Sequence, residues 1–447
     1  MIKILNDIDK IKEFYLSDLR PWIIGFSGGK DSTCVTQLIF NMLDKLHPKK
    51  RKKKVYVLSS NTLVESPFIQ TRIKKTCEKI KNQAYKNKLP IEVEILKPEL
   101  NDTFWVNLIG RGYPSPNRWF RWCTDRLKIN PMTKYIQNKV RENGEVIIIL
   151  GARKDESASR AQTLGKYIIK NSKLHKHSSI PGALIYTPIE DWKVEEVWAY
   201  LLQVKSPWSD NNRDLLNLYK KCDDECPLVI DRSTPACGTS RFGCWVCTVV
   251  ERDRAIEGLI ETGETWLSPL LEFRNWLKEI RDKSKYREPI RKMDRKRKRI
   301  AEFLGKEFNQ SEHRGHKILG PFTFETRHEI FRRLMKLQRK FSKKGFNLIS
   351  PEEIKAIETL LIYEGDNISS ILDVFNENIK IDRNNNVRHK DKLHEICRKN
   401  LVSEKLIEGL VKIEKDFSRL SRRTGIYNRI EKVLDEYVQK NFNEKQN

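Results

Sequence analysis

The chain has 447 residues, with 86 lysines and arginines set against 60 acids for a formal charge of +26; it is long enough for two or three domains and attractive to polyanions. No apolar run approaches the length of a membrane span, and Met1–Leu16 alternates charge with Ile and Leu like a short surface helix lacking a cleavable hydrophobic core. A cytoplasmic protein is therefore expected rather than a secreted or membrane-bound one, and its nine cysteines read as reduced thiols serving metal or catalysis.

From about residue 20 to 205, apolar runs alternate with amphipathic stretches, the pattern of a parallel α/β sheet. Strands are expected at Trp22–Phe26, Val55–Ser60, Ile91–Leu96, Val146–Leu150 and Leu184–Thr187, with helices at Ser32–Leu46, Pro67–Lys88, Asp125–Arg141 and Val194–Val204. Over residues 206–255 prolines, cysteines and polar turns replace periodic structure, and five of the nine cysteines fall there. Beyond about residue 265 the pattern is helical and highly charged. Thr326–Lys340 and Ser403–Arg423 read as amphipathic helices, and Arg291–Arg299 is the densest basic run. A second basic run, Lys49–Lys54, sits in a turn between helix and strand. The expected organisation is an α/β domain over 1–205, a cysteine-rich segment over 206–264 and a basic helical region over 265–447.

Ser27-Gly28-Gly29-Lys30-Asp31-Ser32 directly follows the first strand and opens the first helix. Such a turn presents backbone N–H groups to phosphate oxygens, aided by the positive end of the helix, while Lys30 adds charge and Ser27 and Ser32 add hydroxyls. It is not a Walker loop, which needs a longer glycine spacing and Ser or Thr after the lysine, where Asp31 stands here. Ligands in parallel sheets sit beyond the carboxyl ends of the strands, so Ser27, Asn61 and Gly151, each following a strand, should converge on one crevice. The Asn61 and Thr62 side chains can hydrogen-bond a ligand there, and Glu65 lies at the next helix entrance. Arg153 and Arg160 could clamp phosphates bidentately. Asp191 and Trp192 read equally as a helix cap with a packed indole or as ligand contacts.

S-G-G-K-D-S resembles the PP-loop of N-type ATP pyrophosphatases, which cut ATP between its α and β phosphates. With Asn61–Glu65, the segment Gly151-Ala152-Arg153…Glu156-Ser157…Arg160 and Pro188…Asp191-Trp192, residues 20–250 resemble the adenylyl-sulfate and phosphoadenylyl-sulfate reductase superfamily. Leu63 departs from the pattern, standing where that superfamily has glycine. The resemblance implies an adenine nucleotide alpha hydrolase-like fold and an ATP site of Ser27, Gly28, Gly29, Lys30, Asp31, Ser32, Asn61, Thr62, Glu65, Gly151 and Arg153. Lys30, Asp31, Arg153 and Arg160 would act in catalysis, with Mg²⁺ bridging ATP oxygens and Asp31 one possible protein ligand.

Cys237, Cys244 and Cys247 cluster within CGTSRFGCWVC, and Cys123 stands apart in RWCTDRLK. Three close thiols and one remote thiol suffice for a four-coordinate centre, either zinc or an iron–sulfur cluster. Adenylyl-sulfate reductases carry a 4Fe–4S cluster through a Cys-Cys pair and a later C-x-x-C. Cys123 matches the second cysteine of that pair, whereas Trp122 occupies the first position. The fourth ligand must then come from elsewhere, Cys237 being the choice and Cys226 its substitute. Cys222 or Cys226 could carry a transient persulfide or be plain structural thiols. Cys34 and Cys77 fall on helices as core residues, and Cys397 has no assigned role.

The chain ends without the C-terminal cysteine motif of thioredoxin-dependent sulfate reductases. W-C-T-D-R-L-K, E-C-P, the Cys237–Glu251 segment and G-P-F-T-x-E-x-R resemble instead the DndC/SspD family, the sulfurtransferases of bacterial DNA phosphorothioation, over about residues 20–335. That resemblance implies adenylylation of a DNA backbone phosphate, sulfur replacing a non-bridging oxygen, and sulfur relayed as a persulfide, with Cys226 the catalytic candidate, or through the cluster. The partners implied are DNA, a cysteine desulfurase and other proteins of the phosphorothioation complex. The alternatives are another PP-loop sulfur enzyme, acting on tRNA or adenylylated sulfate, and a non-catalytic DNA-binding scaffold.

Overall fold

The computed structural model describes residues 2–156, 169, 172–222, 243–304, 307–313, 316–364, 397–398, 402–418 and 425–443. A six-stranded sheet of order β3-β2-β1-β4-β6-β5 is built from β1 (Trp22–Gly25), β2 (Val55–Ser60), β3 (Ile91–Leu96), β4 (Val146–Ile149), β5 (Leu174–Lys176) and β6 (Ala183–Tyr186). Neighbours are parallel except the edge strand β5, antiparallel to β6. β1 and β4, WIIG and VIII, are buried at every residue because helices cover both faces. Strand alternation sends Trp22 and Ile24 into a core shared with α1 (Ile2–Leu16), α2 (Lys30–Lys45), α3 (Pro67–Lys86) and α5 (Val194–Gln203). Ile23, Tyr56 and Leu58 face the opposite way, onto α4 (Asn130–Asn143).

All five expected strands form, with ends moved by at most one residue. The helix expected over Asp125–Arg141 is instead a short turn at Trp122–Thr124, a π-helical turn at Asp125–Ile129 and then α4. Pro131 explains the break, since it has no N–H to return to the carbonyl four residues back. The segment 206–255 is also more regular than its composition suggests, because α6 (Asn212–Cys222) runs through it. Leu215 and Tyr219 of α6 pack on the sheet side, while Leu218 packs into a second core. Lys53, in the basic turn before β2, is buried under the Tyr15 and Trp22 rings and bonded to Asp18 at 2.7 Å.

The second core joins the helical region to a piece of the sheet domain. Phe104, Trp105, Leu108 and Ile109 pack with Trp122, Trp245, α7 (Arg254–Glu261), α8 (Ser268–Arg281), α10 (Phe324–Ser342) and α11 (Pro351–Glu364). The Trp105 indole donates to the Leu348 carbonyl at 2.7 Å. Between α8 and α10 lies α9 (Lys292–Phe303), which carries the basic run; α12 (Glu404–Ser418) and α13 (Ile426–Asn443) pack on each other through Ile413, Ile426 and Val433. No helix among the described residues is long and apolar enough to cross a membrane.

G-P-F-T-x-E-x-R closes this core. Arg327 is buried, donating to the carbonyls of Phe322 (3.0 Å) and Gly110 (3.3 Å) and to Glu364 (2.8 Å). Gly112 adopts φ +70° beside it, where an added Cβ would sit 2.3 Å from the guanidinium. The motif therefore serves packing. Replacing Arg327 with leucine strands two buried carbonyls and leaves Glu364 with Lys292 alone, so urea unfolding should register a loss of about 3 kcal/mol.

Candidate active site

The strand order reverses between β1 and β4, and in open parallel sheets a ligand crevice opens at that point. Ser27–Ser32 leaves β1 and Gly151–Glu156 leaves β4, so both segments meet at the switch point. Gly28 has φ +74°, a conformation that suits glycine, and its carbonyl accepts from Arg72 of α3 at 3.1 Å. Ser27 and Ser32 are locked together: their hydroxyls are 3.0 Å apart, Ser27 N–H donates to Ser32 Oγ (3.2 Å), and Ser32 Oγ donates to the Gly29 carbonyl (3.1 Å).

Lys30 opens α2 and is 1% exposed. Its ammonium lies 3.1 Å from Asp31 Oδ2 and 5.4 Å from the centre of the Tyr219 ring. Arg153 Nε donates to the other Asp31 oxygen at 2.7 Å and is equally buried. One carboxylate thus holds two cations at the mouth of the helix. Gly151 lets β4 approach this closely, since a Cβ there would stand 2.7 Å from the main-chain carbonyl of Asp31. The Tyr219 hydroxyl accepts the Lys30 N–H at 3.1 Å. No motif marks Tyr219; only its place on the amphipathic α6 hints at burial. Arg72 was also missed, being one basic residue among many on α3.

Behind Arg153, the Lys154 N–H donates to the Glu190 carbonyl and its ammonium bridges Glu190 and Asp191, both at 2.9 Å. Burial opposes ionisation of Glu190, but His175, Thr187 and Lys154 outweigh it and hold its pKa at about 2. Asp191 does not cap α5. That helix starts at Val194, and the Glu196 carboxylate accepts the Lys193 N–H at 2.8 Å. Trp192 is packed, its indole donating to Asp7 at 2.8 Å.

The loop after β2 points toward the cysteines. Asn61 Oδ1 accepts the Leu63 N–H (2.9 Å) and Gln70 Nε2 (3.2 Å), holding Leu63 at φ +66°. Glycine suits that conformation, while a leucine there costs about 1–2 kcal/mol. Thr62 is fully buried, with its hydroxyl 3.3 Å from Cys244 Sγ. Glu65 pairs main chain to main chain with Cys244, and Trp245 N–H donates to the Val64 carbonyl at 3.0 Å. Burial raises the Glu65 pKa, against the pull of Lys128 and the Thr62 amide. Burial likewise pushes the Cys244 thiol up to about 12, with Lys128 opposing.

Cys244 and Cys247 share a turn, the Cys247 N–H donating to the Cys244 carbonyl at 2.9 Å. Buried Arg274 of α8 gathers the carbonyls of Cys247 (2.7 Å), Glu251 (3.0 Å) and Val250, fixing the far end of that turn. Cys123 packs against the same core as Cys244. The described thiols thus suit part of a soft-metal centre, although among the described residues no group of three ligating side chains is gathered to hold a metal ion. Cys226, Cys237 and Arg160 lie outside the described residues. Cys34 and Cys77 are buried in the sheet core, as expected.

Fold and site together define an α/β protein with a glycine-turn, helix-mouth crevice of the nucleotide-binding kind. Residues 21–250, just over half of the chain, match the phosphoadenosine phosphosulfate reductase domain family, and the chain belongs to that family. An uncharacterized protein of Methanocaldococcus jannaschii is 27% identical over 247 residues, covering 55% of this chain and 40% of that protein. The chain thus spans well under half the length of this relative. Among solved structures, the phosphoadenylyl-sulfate reductase of Candida auris is similar at 14% identity and a TM-score of 0.30, over 47% of this chain and 84% of that one. The U34-tRNA thiolase NcsA of Methanococcus maripaludis, solved with its 4Fe–4S cluster, is similar at 13% and 0.27, over 62% of this chain and 81% of that one. FMN adenylyltransferase of Candida glabrata is similar at 12% and 0.27, over 45% of this chain and 57% of that one.

Gly151→Ala should cost about 2–3 kcal/mol in urea unfolding, because the new methyl must push β4 away from α2. Glu190 supplies a pH-dependent increment. Its folded pKa lies below the unfolded value, so the increment is present at neutral pH and lost as pH falls from about 4.5 to about 2. Glu190→Gln should be less stable by about 1–2 kcal/mol at pH 7, and its deficit should shrink across that window when unfolding is followed against pH.

Proposed function

We propose that this protein is an ATP-dependent sulfurtransferase that places sulfur in the DNA backbone. The observation that carries the reading is the main-chain joint between Glu65 and Cys244. It ties a cysteine turn to the loop beside the glycine-turn crevice, the two parts such chemistry requires. A non-bridging phosphodiester oxygen is a poor leaving group, and the diester charge repels anionic sulfur. Transfer of AMP onto that oxygen releases pyrophosphate and neutralises the charge; a sulfide-level nucleophile then attacks phosphorus and expels AMP.

In this scheme the loop amides, Lys30 and Arg153 stabilise the pyrophosphate as it departs. Mg²⁺ would neutralise phosphate charge on ATP, and Asp31 would be its protein ligand through a remaining lone pair, each of its oxygens already facing one cation. Cys123, Cys244 and Cys247, with Cys237 or Cys226, would hold a 4Fe–4S cluster, which would supply a thiophilic iron centre near the nucleotide. A cysteine desulfurase is the proposed sulfur source, its persulfide sulfur brought to the sulfide level by thiols that leave as a disulfide, and companion proteins of a phosphorothioation complex are the proposed selectors of the target sequence.

Anaerobically purified protein given ATP, Mg²⁺ and DNA should release pyrophosphate and AMP, and Lys30→Ala should lower that rate by roughly 10²–10³-fold. Cys244→Ser should lose bound iron and colour, whereas Cys34→Ser should keep both. ADP with orthophosphate as products, or stoichiometric zinc in colourless protein, would overturn the corresponding half of the reading.

A further inference from the structure

Trp119 and Phe120 are 64% and 44% exposed at the tip of the turn before Cys123, flanked by Arg118 and Arg121. Their exposure does not come from a loose loop. Asn117 Oδ1 accepts the N–H groups of both Trp119 (2.9 Å) and Phe120 (2.8 Å), and the Trp122 indole donates to the Pro114 carbonyl at 2.9 Å. The Pro116 carbonyl accepts from the Thr248 hydroxyl (2.6 Å) and from Arg281 (3.2 Å). Thr248 follows Cys247, so the aromatic tip is pinned against the cysteine turn. Phe120 meets Tyr113 on one side, with ring centres 5.9 Å apart, yet both Trp119 and Phe120 keep much of their surface exposed, which marks a contact surface.

We infer that this turn is a stacking platform for an unpaired base of single-stranded DNA, presenting the adjacent phosphate to the cysteine turn. The choice of DNA rests on the function proposed above; the stacking mode rests on the turn itself. Aromatic faces accept any base, and arginines beside them take the flanking phosphates. Arg118, exposed beside Trp119, is placed to take a flanking phosphate. A base inside a duplex offers no free face, so the platform selects an unstacked nucleotide.

The test is fluorescence anisotropy with labelled single-stranded DNA, its duplex and an RNA of the same sequence, without ATP. Trp119→Ala with Phe120→Ala should weaken single-stranded DNA binding at least about tenfold with little change in salt dependence. Trp119→Phe should restore most of the loss. Arg118→Gln should instead lower the salt slope, and Tyr85→Ala, at an exposed ring on α3, should bind as the parent does. Unchanged affinity in the double variant, or an equal dependence for duplex, overturns the platform; tighter aromatic-dependent binding of RNA overturns the choice of DNA. Because binding is read without ATP, pyrophosphate release with an indifferent Trp119 sinks only this inference. ADP formation with a Trp119-dependent grip sinks only the proposed reaction.

Discussion

The Asp31 carboxylate is the contact on which the crevice depends. Lys30 and Arg153 come from opposite sides of the strand-order reversal, and two cations so placed would repel unless an anion lay between them. Asp31 lies between them and offers one oxygen to each. The arrangement fixes the mouth of α2 to the loop after β4, and Gly151 is its geometric condition. Removing the carboxylate would leave two desolvated cations, a far larger penalty than losing one surface pair.

The cysteine turn is held by different means. Its start is stitched to the β2 loop by main-chain pairing, and its end is wrapped around the Arg274 guanidinium through three carbonyls. Both anchors act on backbone rather than on the thiols, of which Cys244 Sγ lies 3.3 Å from the Thr62 hydroxyl. The Leu100–Leu127 stretch, although inside the sheet domain in sequence, packs with the C-terminal helices. Sheet domain and helical core are consequently joined through that stretch, through the Val64–Trp245 main-chain bond and through α6, whose Tyr219 reaches the Lys30 amide while Leu218 faces the other core. Motion of the helical region would be felt at the loop.

Strand runs and the glycine turn were legible because local sequence decides them: four-residue apolar blocks can only be buried strands, and Gly-Gly-Lys after a strand has few other uses. Side-chain assignments were less legible. Asn61 and Thr62 have the chemistry of ligand contacts, yet one shapes a turn and the other meets a cysteine 182 residues away. Asp191 has the chemistry of a cap, but Lys154 claims it and the helix begins later. G-P-F-T-x-E-x-R looked like a family signature, and the structure gives it a packing reason in the cavity that Gly112 leaves for Arg327. Leu63 was noticed as a departure, but its cost appears only once φ is known. In each case the deciding partner is remote in sequence, which no local pattern reports.

The same point revises the meaning of the charge. A total of +26 suggests a uniformly sticky surface, but Lys30, Lys53, Arg153, Arg274, Arg287 and Arg327 are buried and bound to carboxylates, carbonyls or rings. These cations hold the fold, and those paired with carboxylates, Lys30, Lys53, Arg153 and Arg327, add little to the net field. What remains outside is unevenly placed. α9 displays Lys296, Arg297, Lys298 and Arg299 to solvent while Asp294 is buried beneath, tied to Arg291 and Ser311. Exposed lysines and arginines also line α3 and α10, so under the function proposed above the surface would hold a nucleic acid broadly and leave its orientation to the aromatic turn. Orientation is what a backbone-modifying reaction would demand, because one particular phosphate must arrive at the crevice while its neighbours are held away.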